Sequence, residues 1–152
     1  MGGSIDRPYQ GAWVGRTHHF ALRVYFEDTD TAGIVYYANY LKYMERARSD
    51  MLRAAGIDQR AALEAAEGVY VVAQADVTYR RPAKLDDALL VLSEVLDVRA
   101  ASCVIHQRVM RDHQLIAEAR IIAAFLSPEG RPKRQPREWV EKFERLKKEG
   151  AQ

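Results

Sequence analysis

The chain has 152 residues, 48% hydrophobic and 29% charged, with a net charge of +2. That is the size and balance of one domain able to bury its own core, and the near-neutral charge argues against a protein built to coat nucleic acid. The single cysteine, Cys103, excludes an intramolecular disulfide; with no Cys/His set at ligand spacing there is no metal signature, and a reducing cytoplasm is the natural setting.

Residues 1–15 are glycine-rich and aperiodic, which predicts a flexible N-terminal arm ahead of a single domain over 16–152. No apolar h-region marks a signal peptide there, and no apolar run reaches the ~18 residues of a membrane span. From His18 the pattern alternates, with His18, Phe20, Leu22, Val24 and Phe26 on one face, as in a strand. A loop rich in Asp, Thr and Gly follows over 27–37. Tyr40, Met44, Ala47, Met51 and Ala54 then share a stripe at helical spacing, predicting a long helix over about 38–55 stopped by Gly56. A shorter helix is expected near 59–67.

The second half has period two. Val69–Tyr79, Asp86–Val98, Ser102–Arg111 and Leu115–Leu126 read as strands, with short polar turns at 99–101 and 112–114 that suit antiparallel hairpins. A charged helix begins near Pro136, with Trp139, Phe143 and Leu146 as its apolar stripe. One long helix and five mainly antiparallel strands make an α+β domain with the helix on one sheet face.

The chemistry concentrates between Arg23 and Arg48. A strand delivers two carboxylates, Asp28 and Asp30, into a loop just ahead of the long helix, which starts near Tyr37. Helix N-termini offer free N–H groups and a partial positive charge, which suit an oxygen that gains charge during acyl transfer. A carboxylate beside such donors can serve as a base toward water or as a nucleophile toward a thioester. The residues alone leave a second reading open, in which both aspartates only cap turns and the helix start.

The segment Phe26 through Tyr40 carries the pattern Phe-x-Asp-x-Asp-x-x-Gly-x-Val-x-x-x-Asn-Tyr, followed by Glu45-Arg46-Ala47-Arg48. It resembles the 4-hydroxybenzoyl-CoA thioesterase family, and within it the branch of short acyl-CoA thioesterases associated with the Tol-Pal system. The resemblance implies a hotdog fold over 17–127, in which the sheet wraps a long central helix. It implies hydrolysis of an acyl-CoA, or of a thioester on an acyl carrier protein, without metal or cofactor. Asp30 matches the catalytic carboxylate, as nucleophile or general base. Tyr37 matches the residue whose backbone N–H polarises the thioester carbonyl, Gly33 allows their close approach, and Asp28 organises the loop. Many members of the Tol-Pal branch have His where Tyr37 stands, which leaves the acyl group open.

For substrate binding, the resemblance points to Tyr36 and Asn39 and, for the CoA nucleotide, to the turn holding Arg99 and Ser102 and to the basic run with Lys133 and Arg134. Arg80, Arg81 and Lys84 read chiefly as a solvated face, and Glu45 as the partner of Arg46 or Arg48 in an ion pair. Tyr36, Tyr37, Tyr40 and Tyr43 suit either an acyl pocket or plain packing. A homo-oligomer, dimer or tetramer, with each site shared between subunits is implied, with no nucleic-acid partner and no membrane insertion. The alternative is a non-catalytic hotdog scaffold that binds acyl-CoA or acyl carrier protein.

Overall fold

Tyr43 and Phe125 are two of the largest buried side chains; Tyr43 lies on the buried face of a helix, and Phe125 lies on a sheet, packed against Tyr70 and Trp139. A computed structural model describes residues 10–150. The strands are β1 (Ala12–Val14), β2 (Thr17–Arg23), β3 (Val69–Tyr79), β4 (Ala88–Val98), β5 (Ser102–Arg111) and β6 (Gln114–Leu126). The helices are α1 (Asn39–Ala54), α2 (Gln59–Glu64) and α3 (Arg137–Lys148). All strand pairs are antiparallel, in the order β1-β2-β4-β5-β6-β3. This is the α+β hotdog arrangement expected from the sequence.

The long helix lies where its stripe predicts. Tyr40, Met44, Ala47 and Met51 are buried, joined by Tyr43, Asp50 and Leu52. They meet Val91, Val109 and Ile121 from β4, β5 and β6 in one cluster, and Val95 and Ile105 with Phe143 and Leu146 of α3 in a second. Each such side chain contributes roughly 1.5–3 kcal/mol on burial. The β5–β6 hairpin closes over two residues, with Asp112 in the left-handed region that tight hairpins require.

The sheet has six strands rather than five. Residues 1–9 of the expected flexible arm lie outside the described residues, but Ala12–Val14 forms β1 and pairs with β2. The reason is a buried polar anchor that periodicity does not reveal. The Nε2 of His18, on β2, lies 2.8 Å from Asp50 Oδ2 on α1, and the Gly11 N–H donates to the same oxygen at 2.8 Å. Both His18 and Asp50 are buried. A Cβ at Gly11 would collide with the His19 carbonyl, so only glycine brings the chain this close.

Burial holds the His18 pKa below its free value of 6.5, although Asp50 pulls it the other way. As pH falls through 6.5, the unfolded chain takes up a proton that the folded chain resists. This residue's contribution is therefore complete above pH 6.5 and drains away below it. The free energy of urea unfolding is expected to drop between pH 7.5 and pH 5.5, and to drop less in His18→Gln. An equal drop in that variant would place the effect elsewhere.

Candidate active site

β2 ends at Arg23, and the chain turns through a single 3-10 turn at Phe26–Asp28. The Asp28 carboxylate accepts the Tyr25 N–H at 2.8 Å and closes that turn. Asp28 is thus a loop residue, as expected. Asp30 opens the next turn: its carbonyl accepts from Gly33 N–H at 3.0 Å, and its Oδ1 accepts from Ala32 N–H at 2.8 Å. Gly33 has φ +78, where a Cβ is strained, though nothing crowds it. The loop is pinned from outside, because the Val35 N–H donates to Ala83 and Ile34 bridges to Lys84.

The helix start is tied to this loop through one carbonyl. Asp28 O accepts the Tyr36 N–H at 2.9 Å and the Asn39 side-chain amide at 2.8 Å. Asn39, expected to touch substrate, spends its amide nitrogen on this staple. Three short-range bonds, Asn39 N–H to Tyr36 O, Tyr40 N–H to Tyr37 O and Leu41 N–H to Ala38 O, wind the chain into α1. Among the described residues, no acceptor takes the N–H of Tyr37 or Ala38. The first turn of α1 holds no acidic side chain, so nothing within it neutralises the positive end of the helix dipole.

The four tyrosines divide between the two readings. Tyr40 and Tyr43 are buried at 4% and 1% exposure and belong to the core, whereas Tyr36 and Tyr37 are exposed at 46% and 60%. The Tyr43 hydroxyl is buried without a hydrogen-bond partner, and burial and the Asp28 carboxylate hold its pKa above the usual phenol range. The Tyr36 phenol is raised too, chiefly by the neighbouring Tyr37. The Tyr37 ring meets Tyr79 at 6.0 Å, edge on. Ile34, Tyr37, Tyr40 and Tyr79 line an open groove of about 360 Å³ with Arg80 and Arg81. The cations beside this loop within one chain are therefore Arg80, Arg81 and Lys84, which the sequence favours only as a solvated face.

Arg99, Ser102, Lys133 and Arg134 do gather, but elsewhere. The Gln135 amide holds the carbonyls of Arg99 and Ser102 at 2.7 and 3.1 Å, and the Lys133 ammonium reaches the Glu67 carbonyl. Arg99 is paired with Asp97 at 3.2 Å. This cluster sits at the Ser102 end of β5, while the Asp30 loop docks toward the Arg111 end, where Arg111 bonds Pro82 and Asp87. At about 3.3 Å per residue, β5 separates the two by roughly 30 Å. Glu45 forms no ion pair with Arg46 or Arg48 among the described residues; it accepts the Ser49 hydroxyl at 2.9 Å.

The profile of the thioesterase-like superfamily matches residues 24–144. The chain belongs to that superfamily. It is 38% identical over 129 residues to the acyl-CoA thioesterase YbgC of Haemophilus influenzae, covering 84% of this chain and 95% of that one. A probable thioesterase from Bartonella henselae superposes with a TM-score of 0.74 at 30% identity, over 80% of this chain and 98% of the other. A mutant 4-hydroxybenzoyl-CoA thioesterase solved with 4-hydroxybenzoyl-CoA shares the fold, with a TM-score of 0.77 at 24% identity over 84% and 99% of the two chains.

The staple can be tested without substrate. Asn39→Ala removes one of the two donors on Asp28 O, at a cost of about 1 kcal/mol. Unfolding free energy should fall by that much, and the Tyr36 amide should exchange its hydrogen faster. Unchanged exchange at Tyr36 would show that Asn39 does not hold the loop.

Proposed function

We propose that this protein is an acyl-CoA thioesterase whose chemistry is carried by Asp30 and by the unpaired N–H of Tyr37. The observation that carries this reading is the staple at Asp28 O, which ties the turn of Asp30 to a helix start with free donors. The thioester carbonyl oxygen accepts from Tyr37 N–H, and the positive end of α1 stabilises the charge that develops there. Asp30 uses one oxygen on Ala32 N–H, which fixes the carboxyl plane and leaves the other oxygen for the reaction. It acts either as a base toward water or as a nucleophile on the carbonyl carbon. In both routes the C–S bond breaks, the thiolate takes a proton, and water supplies the new carboxylate oxygen. The family membership and the YbgC likeness support the same activity.

Arg80 and Arg81 beside the groove favour a thioester whose carrier bears phosphates, as coenzyme A does. A CoA substrate fits a cytoplasmic setting. No helix among the described residues is long and apolar enough to cross a membrane.

The site is built by two copies of the chain. Among the described residues, β3 ends the sheet and pairs only with β6, which leaves an eleven-residue edge without a partner strand. Val71, Val72 and Tyr79 on it are 38%, 48% and 45% exposed. A long apolar edge invites a partner strand. A two-fold axis laid against β3 pairs it antiparallel with its own copy. That pairing sets the Val69 end of one strand beside the Tyr79 end of the other. It therefore carries the partner's Arg99–Lys133 cluster toward the Asp30 loop, which one chain alone keeps far from it.

Asp30→Asn keeps the turn, because an amide oxygen still accepts from Ala32 N–H, yet it removes the base and nucleophile. Steady-state hydrolysis of acyl-CoA should fall about 10²–10⁴-fold, with the unfolding midpoint nearly unchanged because Asp30 is exposed. Full activity in this variant would move the catalytic centre elsewhere.

A further inference from the structure

Under the middle of α1 a half-enclosed cavity of about 90 Å³ opens between α1, α2 and the start of β3. Its walls are largely apolar, with Leu52, Val95, Ile105 and Phe143 among them. Its polar lining is Glu45, which is exposed, Ser49, Gln59 and one charged group set deeper, Arg48. Arg48 lines the cavity and donates to Gln107 Oε1 at 3.0 Å. Gln107 is fully buried and cannot turn away, because its amide nitrogen is spent on Met44 O at 3.0 Å and on Ser93 Oγ at 2.9 Å. The guanidinium is thus held in place by a neutral acceptor. Burial works against its charge, and Glu45 is the one charged group that supports it. Glu45 is itself engaged with Ser49 and makes no salt bridge to Arg48 among the described residues. An arginine fork has five donors, and a half-buried cation with so few partners can be completed by an anion.

We propose that this cavity takes the far end of the acyl group and that Arg48 selects short aliphatic chains ending in a carboxylate, the monothioesters of dicarboxylic acids. The proposal rests on the thioesterase reading above and names the substrate class for it. Size argues for an aliphatic chain, since a cavity that takes up benzene measures about 150 Å³. Position argues for delivery across the β3 interface. At about 1.5 Å per residue, α1 rises roughly 16 Å from Tyr37 to Arg48, too far for a short chain held at Tyr37 of the same subunit. Tyr70, Val71 and Val72 border the cavity at the start of β3, whereas Tyr37 meets Tyr79 at its end. Antiparallel self-pairing of β3 sets the cavity of one subunit beside the thioester site of the other.

The test compares kcat/KM for pentanoyl-CoA, ω-hydroxypentanoyl-CoA and glutaryl-CoA, which share chain length and differ at the far end. The wild-type protein should prefer glutaryl over both others by about 10-fold or more. Arg48→Met should bring the glutaryl-to-pentanoyl ratio near one, and Arg48→Lys should restore part of it. A ratio does not depend on the fraction of chains that fold. Equal kcat/KM for the three substrates in the wild type, a hydroxyl chain as good as glutaryl, or a ratio unmoved by Arg48→Met overturns the proposal. Asp30→Asn separates the two readings: undiminished hydrolysis of all three there sinks the catalytic assignment, while the ratio still reports on Arg48. Mixed dimers of Arg48→Met and Asp30→Asn chains should regain the glutaryl preference, because one of their sites joins an intact Asp30 to a partner's intact Arg48. Failure to regain it in demonstrated mixed dimers rules out delivery across the interface.

Discussion

One backbone oxygen organises the proposed catalytic end of this molecule. The Asp28 carbonyl accepts the Tyr36 N–H and the Asn39 amide, and so fixes the start of α1 against the loop that carries Asp30. Without it, Asp30 would sit on an exposed turn with no set relation to the helix end. With it, a carboxylate and an unpaired N–H share one short segment of chain. Catalysis by positioning needs such rigidity, because preorganised donors cost no rearrangement when charge develops. The side chain of Asp28 supports the same end by closing the preceding turn. The two aspartates thus differ, Asp28 holding the turn and Asp30 standing as the proposed reagent.

The remainder of the fold serves to hold α1 still. Its buried face packs on the sheet, and its far half is anchored by the Asp50–His18–Gly11 contact that also recruits β1. What the single chain does not do is enclose its site. The groove beside Tyr37 is open, the basic cluster around Arg99 and Lys133 lies at the other end of the sheet, and β3 is left as a bare edge. Antiparallel pairing of β3 with its copy resolves all three features at once.

Periodicity made the fold legible. The stripe from Tyr40 to Met51 placed α1, and alternation placed β3 and β5 at their observed bounds. β1 was illegible because three residues carry no period, and its anchor is a contact between Gly11 and Asp50, distant in sequence. At the site, the spacing of Asp28, Asp30 and Gly33 marked the loop, and the family resemblance separated the two carboxylates. The ion pair expected of Glu45 is absent among the described residues, and the staple made by Asn39 was not legible, since a side-chain amide shows no preference in sequence for a carbonyl eleven residues back. Arg80 and Arg81 resembled any solvated basic pair; only the fold sets them beside Tyr37. Arg48 stood within a recognised motif, yet its partner Gln107 lies on another strand, so its setting could not be read from spacing.

The claim on which the rest turns is that one chain holds half of a site. It is tested by measuring molecular mass by light scattering and acyl-CoA hydrolysis on the same samples, for the wild type and for a variant whose β3 edge is blocked by Val72→Pro. The account expects the wild type to be an active dimer or larger assembly, and the variant to be a folded monomer whose turnover is lost. A folded monomer that hydrolyses acyl-CoA at the wild-type rate would contradict it.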